Sequence, residues 1–173
     1  MVSVLIPLRF IYEESELKAF NEITKLLKEK QREVDSQCLS RVVLHLLVDV
    51  IKEDEYTNSK ENLETVSNFI ETMDKLYECE NPSSLGIKIS PNPGVIATNE
   101  LGEEIIRIIK RKIRETIEEL KRVMIAPMVI DNPKSRDGMT LALEYAFNAF
   151  PLAMELINGP TISVKLNLKG AKQ

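Results

Sequence analysis

The sequence contains few of the residues that most often build reactive or metal-binding sites. Its 173 residues include one histidine, two cysteines and no tryptophan. Structural zinc is usually held by four histidine or cysteine ligands, so a zinc site is not expected. Cys38 and Cys79 are too few for the disulfide framework of a small secreted domain, and they favour a reducing compartment.

Segments that would target or anchor the protein are also missing. The first residues lack the basic start and the cleavage site of a signal peptide. The most apolar stretch, residues 139 to 157, is interrupted by Glu144, Asn148, Pro151 and Glu155 and is barely long enough to cross a bilayer. We therefore predict no membrane span and a cytoplasmic protein.

Common catalytic motifs are absent as well, among them G-x-S-x-G, the P-loop, G-x-G-x-x-G and H-E-x-x-H. His45 forms an i, i+4, i+8 row with Arg41 and Asp49, an arrangement that could tune an acid or a base. A narrow polar stripe on a central helix is the simpler interpretation. We predict that His45 is structural, and that the chain has no catalytic residue, metal or cofactor.

Length and composition favour one folded domain that spans residues 1 to 173. With 43% hydrophobic residues, the chain can form a continuous core. Its net charge of −4 at pH 7 opposes a general attraction to nucleic acid or anionic membranes but allows a local basic face. Abundant Ile, Lys and Glu beside three glutamines are typical of heat-adapted proteins.

The two ends of the chain have the period of β-strands. Apolar residues recur at every second position near the N-terminus, at Val2, Val4, Ile6, Leu8 and Phe10. The same period recurs near the C-terminus, at Ile162, Val164, Leu166 and Leu168. Pro7 lacks an N–H and places the first strand at an edge or a bulge. We expect the two strands to form a small antiparallel ribbon or to extend a partner's sheet.

Between these strands, helical periodicity predicts five helices and hence an α+β, α-dominant, bundle-like fold. They are expected at residues 15–34, 36–53, 58–77, 99–126 and 137–158. The first should bury Leu17 and Phe20 and expose Lys18 and Glu22, and the second is apolar almost all round. Asn58 is expected to cap the third helix and Pro127 to end the fourth. Residues 81 to 98 predict a loop or a small hairpin that turns at 91–94.

Acidic residues cluster on the third predicted helix. Glu61, Glu64, Glu71 and Asp74 form an E-x-x-E and an E-x-x-D pair. The pairs resemble those of the all-helical nucleotide pyrophosphohydrolases, which hold magnesium between pairs on facing helices. Here both pairs occupy one helix, where the oxygen ligands do not converge on a cation. We interpret them as a solvated acidic face.

Basic residues collect on the fourth predicted helix, on a face separate from its apolar stripe. Six of them share this face: Arg107, Lys110, Arg111, Arg114, Lys121 and Arg122. Like charges repel at i, i+4 spacing, a cost that is more readily tolerated if an anion occupies the face. The face is our candidate nucleic-acid-binding site, although the acidic third helix could instead lie beside it and neutralise it.

These patterns leave three hypotheses for function. The leading one is a non-enzymatic subunit of a larger complex that binds a nucleic-acid backbone, or an acidic protein surface, through the basic face. Helical subunits of CRISPR-type ribonucleoprotein complexes provide an analogy at the level of the fold. The alternative is a homo-oligomeric structural or adaptor protein in which acidic and basic helices of neighbouring subunits pair. The third is a small metal-dependent nucleotide hydrolase.

Overall fold

The computed structural model describes residues 2–79, 81–90, 94–130 and 159–166. That part of the chain contains four α-helices and four short strands. They follow one another as β1 (Val2–Pro7), α1 (Leu8–Glu29), α2 (Ser36–Glu53), α3 (Lys60–Asp74), β2 (Ile87–Ser90), β3 (Gly94–Ala97), α4 (Glu100–Ile130) and β4 (Thr161–Leu166). The fold is dominated by helices, as predicted, but has four described helices rather than five. The fifth expected helix, 137–158, lies outside the described residues.

The strands near the two ends pair with each other, which confirms the predicted antiparallel ribbon. Val2 lies opposite Leu166, and Pro7 lies opposite Thr161. In β4 the side chains of Ile162, Val164 and Leu166 are buried while the residues between them are more exposed. The predicted alternation therefore places one face of β4 on the hydrophobic core.

Helix α2 is central, and its predicted bounds are confirmed at Ser36 and Glu53. Twelve of its residues are buried, and it packs against α1, α3 and α4. The Asp35 side chain caps its first turn by accepting a hydrogen bond from the Cys38 N–H, at 3.1 Å. Because α2 contacts each of the three other described helices, polar groups at its two ends can bind different neighbours.

Helix α1 differs most from its prediction. It begins at Leu8 rather than near residue 15, because Leu8, Ile11 and Tyr12 already face the core at helical spacing. Ser15 and Ala19 are fully buried, whereas 58% of Leu17 is exposed. The expected apolar stripe is thus wrong in its first half, because the side of α1 that carries Ser15 and Ala19 faces the core there.

Two other helix boundaries were also predicted wrongly. The cap of α3 is Ser59 rather than Asn58, since the Ser59 hydroxyl accepts the hydrogen bond from the Asn62 N–H at 3.1 Å. Helix α4 continues through Pro127 to Ile130. Proline removes one backbone N–H donor from a helix. Helix α4 continues past Pro127 in spite of this lost hydrogen bond.

The predicted hairpin in residues 81–98 is confirmed by the pairing of β2 with β3. Gly86, just before β2, has a φ of +71°, a left-handed conformation that glycine adopts without a steric cost. Its carbonyl oxygen lies against Gly102 in the first turn of α4, where a Cβ would approach it to 1.8 Å. This close backbone approach fixes the hairpin against the start of α4.

Cys38 and Cys79 form a disulfide, with their Cα atoms 5.0 Å apart. This single bond is not the disulfide framework that the sequence argues against, and the reducing compartment stays a prediction. Their separation of 41 residues is closed because α2 and α3 pack together and return the chain to the start of α2. Sequence spacing alone does not contain this proximity.

Candidate nucleic-acid interface

The candidate interface is the exposed side of α4. Its apolar stripe holds the helix in the core through seven buried residues, Leu101, Ile105, Ile108, Ile109, Ile113, Ile117 and Leu120. On the other side Arg107, Arg111, Arg114 and Arg122 are exposed. The predicted separation of an apolar stripe from a basic face is therefore present, and α1 and α2 pack beside it.

Glu53, the last residue of α2, binds two cations of this face. Lys110 Nζ lies 3.0 Å from Glu53 Oε1, and Arg114 Nη2 lies 2.8 Å from Glu53 Oε2. The hydrogen bond from Lys110, followed by that from Arg114, holds the pKa of the Glu53 carboxyl below its ordinary value. One carboxylate thus relieves the repulsion between Lys110 and Arg114.

Glu22 has the corresponding role on α1. Arg111 Nη2 donates to Glu22 Oε1, and Lys112 Nζ lies 3.1 Å from Glu22 Oε2. The hydrogen bond from Arg111 is the main cause that lowers the pKa of Glu22, and the same bond raises the pKa of Arg111. Lys112 was not in the predicted site, and Glu22 was expected to face solvent.

Lys121 differs from the other five predicted site residues because it is 7% exposed. Its Nζ lies 2.9 Å from Glu118 Oε1, 3.7 Å from Asp54 Oδ2 and 4.9 Å from the centroid of the Tyr56 ring. A cation over an aromatic face and beside two carboxylates is held in place. The structure therefore places Lys121 within the packing between α4 and the end of α2.

Arg107 and Arg122 have the opposite character. Both are exposed, and neither forms an ion pair with another residue in the part of the chain that the structure describes. Glu119, the acidic residue near Arg122, is instead bound by Lys18 of α1 at 2.8 Å. The two arginines near the ends of the basic face are thus its least neutralised cations.

Within the described residues, the carboxylates that bind α4 from other helices come from α1 and α2. The predicted compensation inside the chain exists, but Glu22, Glu53 and Asp54 supply it rather than the acidic helix α3. These partners lie tens of residues away from α4, so no local sequence signal identifies them. Their placement follows from the way the helices pack.

A second polar cluster joins the other end of α2 to α3. Arg41 Nε and His45 Nε2 lie 2.8 Å and 2.9 Å from Asp74 Oδ1, and Arg41 Nη1 donates to the Cys79 carbonyl at 2.6 Å. Burial opposes ionisation of Asp74, but the hydrogen bonds from Arg41 and His45 outweigh it and lower its pKa. Asp49, the neighbour expected from the sequence, is not part of this cluster, and burial raises its pKa.

The acidic residues of α3 do not converge on a cation. Glu61, Glu64 and Glu71 are exposed, in agreement with a solvated face, and Asp74 is bound by Arg41. In the described ranges no three His, Cys, Asp or Glu side chains are grouped closely enough to hold a metal ion. The described helices also include none with the length and apolarity needed to span a bilayer.

Comparisons with known proteins give no family or relative for this chain. No family model matches it, and neither a curated protein nor a solved structure shows a significant match.

Proposed function

We propose that this chain is a non-enzymatic subunit of a larger complex and that it contacts a nucleic-acid backbone through the exposed face of α4. The observation that carries the proposal is the row of four exposed arginines, Arg107, Arg111, Arg114 and Arg122. Arginine is suited to phosphate because its planar guanidinium presents five N–H donors. Lys121 is left out of the contact surface because it is buried.

The ion pairs of the face use only part of its donor capacity. Arg114 reaches Glu53 through Nη2 alone, and half of its side chain, 52%, remains exposed. Arg111 is 49% exposed beside Glu22 and Glu115. The remaining N–H groups of both side chains can donate to a phosphate while the carboxylates hold the guanidinium groups in position.

The length of the face suits a phosphate chain. From Arg107 to Arg122 the helix rises about 22 Å, which is enough to pass several phosphates of one strand. No tyrosine of the described residues lies among the four arginines, so most contacts would reach the backbone rather than the bases. Binding should therefore depend weakly on sequence and steeply on salt.

The decisive experiment removes Arg107 and Arg122, the two arginines of the face that form no ion pair within the described ranges. Arg107→Glu with Arg122→Glu should weaken binding to mixed-sequence RNA and DNA and reduce the salt slope by about 2, because two phosphate contacts are lost. Lys60→Glu with Lys75→Glu, at the first residue of α3 and just after its last, is the matched control, since it changes the net charge equally on exposed sites away from α4. Fluorescence anisotropy titrations between about 50 and 300 mM salt measure both quantities.

Three results would contradict the proposal. The first is a wild-type protein that binds neither RNA nor DNA at about 50 mM salt, where phosphate contacts are strongest. The second is an equal loss of binding in the α3 control, which would indicate only a net-charge effect. The third is binding to an acidic protein or peptide with no binding to nucleic acid, which would assign a different partner to the same face.

The two other hypotheses have less support. Inter-subunit charge pairing would need acidic and basic groups that Glu22 and Glu53 already bring together within one chain. A metal-dependent hydrolase would need converging carboxylates, and those of α3 are exposed along one helix.

A further inference from the structure

Among the residues that the structure describes, the hydrogen-bond pattern of the ribbon leaves one edge of β1 without a partner strand. The Leu8 N–H donates to the Pro160 carbonyl at 2.9 Å, so the even-numbered residues of β1 direct their backbone groups toward β4. Ser3, Leu5 and Pro7 direct theirs away from β4. In the described part of the chain, nothing accepts from the N–H groups of Ser3 and Leu5.

The outer edge of β4, in contrast, is covered. The Asn62 side chain of α3 donates to the Ser163 carbonyl at 2.8 Å and accepts from the Ser163 N–H at 2.9 Å. The Lys165 N–H donates to the Tyr56 carbonyl at 3.2 Å. A side chain and a loop thus take the place that another strand would occupy.

The β2–β3 hairpin is protected in another way. Its strands have four residues each, and Lys88 on β2 is exposed. Short strands and exposed lysines are common protections against edge-to-edge pairing. β1 has six residues and no charged side chain between Val2 and Leu8, so it has neither protection. Pro7, at the end of the strand, is the only residue of β1 whose type hinders edge-to-edge pairing.

We infer that the open edge of β1 binds β1 of a second copy of this chain. The two strands would run antiparallel about a two-fold axis at Val4, with Ser3 of each copy opposite Leu5 of the other. In this register each of the four outward N–H groups meets an outward carbonyl, and Pro7 falls beyond the paired residues. A shift that placed Ser3 opposite Pro7 would leave the Ser3 carbonyl of each copy without a donor, because Pro7 has no N–H.

A second copy fits this edge because the strand is complementary to itself. Two uncharged segments approach without repulsion, and the exposed Ser3 of each copy would form a cross-strand pair with the half-buried Leu5 of the other. The product is a four-stranded sheet in the order β4, β1, β1, β4. The pairing involves residues 3–5 of each copy, against roughly 20–30 residues a side in a stable interface, so the dimer should dissociate on dilution. This inference is independent of the nucleic-acid proposal.

The test compares two substitutions at Ser3, which is exposed. Ser3→Pro removes the outward N–H, whereas Ser3→Ala removes the same hydroxyl and keeps the N–H. Across the two-fold axis Ser3→Pro removes two hydrogen bonds and should weaken dimerisation roughly thirtyfold, while Ser3→Ala should dimerise like the wild type. Sedimentation equilibrium over a range of concentrations measures the dissociation constant of each.

Hydrogen exchange identifies the strand that is involved. The amides of Ser3 and Leu5 should be protected at high protein concentration and exchange rapidly after dilution, while the inward amide of Val4 stays protected in both.

A protein that remains monomeric at about 1 mM, or a dimer that leaves Ser3 and Leu5 unprotected, would overturn the inference. Protection that does not depend on concentration would also overturn it, because the edge would then be covered by the same chain. So would a dimer that Ser3→Pro and Ser3→Ala leave equally stable.

Discussion

The two ends of α2 are bound to their neighbours by different chemistry. At the N-terminal end a disulfide joins Cys38 to Cys79, and Arg41 and His45 bind the largely buried carboxylate of Asp74. At the C-terminal end Glu53, half of which is exposed, holds Lys110 and Arg114 of α4. Both ends carry charged groups, but Arg41 and Asp74 are 20% and 25% exposed, whereas Arg114 and Glu53 are 52% and 49% exposed.

This difference in exposure means that the charged groups at one end of α2 stabilise the fold, while those at the other end can exchange partners. A partly buried charge that loses its partner is costly, because water does not replace the lost hydrogen bonds. An exposed ion pair contributes about 0.2–1 kcal/mol and exchanges easily with water and salt. The N-terminal end of α2 is therefore suited to fix the α2–α3 hairpin, and the C-terminal end is suited to exchange a carboxylate for a phosphate.

The largest expected effect is the loss of the disulfide. Cys38→Ala with Cys79→Ala should lower the free energy of unfolding by about 4 kcal/mol, because the bond closes a loop with a sequence separation of 41. Urea denaturation of the oxidised proteins measures this difference. Reductant should destabilise the wild type by a similar amount and leave the double variant unchanged. Identical urea midpoints for wild type with and without reductant would contradict the prediction.

Asp74→Asn should have the next largest effect, about 2 kcal/mol at pH 7, because Arg41 and His45 lose their charged acceptor. Glu71→Gln on the exposed side of the same helix should stay within about 0.5 kcal/mol. The lowered pKa of Asp74 means that its contribution is present above the ordinary value of 3.8 and is lost as the pH falls through the lower folded value. Denaturation at pH 7 and at about pH 2.5 should therefore show the gap between wild type and variant closing; a constant gap would count against this role.

Glu53→Gln should have the smallest effect on stability, below about 1 kcal/mol in low salt and less at high salt, because both of its ion pairs are exposed. Its effect on binding should be larger than its effect on folding. Lys110 and Arg114 are released, so the affinity for RNA and the salt slope should rise. Glu64→Gln is the matched control for the same loss of charge. A destabilisation as large as that of Asp74→Asn would mean that the two ends of α2 do not differ in this way.

The sequence correctly predicted those helices and strands whose hydrophobic pattern fits only one type of secondary structure. The bounds of α2 followed from an apolar surface that continues almost all round, and the ribbon followed from period-two alternation near both ends. Residues 8 to 12 carry a pattern that serves either a strand or a helix, so the start of α1 was placed too late. Packing against the core decided between the two periods, and a single sequence does not contain that packing.

The candidate site was predicted from one helix and therefore only in part. The basic face of α4 and its separation from the apolar stripe could be read from local spacing. The carboxylates that neutralise it could not, because Glu22 and Glu53 reach it through the packing of α1 and α2. For the same reason, local spacing suggested Asp49 rather than Asp74 as the partner of His45. It also did not identify Cys79 as the partner of Cys38.

The pairing of β1 with β4 also has a consequence for synthesis in the cell. The two strands are separated by about 160 positions, since Val2 is the partner of Leu166. At translation rates of 5–20 residues per second, β1 waits on the order of ten seconds or more for its partner to be made. During that interval the edge of β1 that pairs with β4 in the folded chain has no partner strand. Nascent chains on one messenger could then meet through this segment, which makes the delay between the two strands a period of risk for co-translational aggregation.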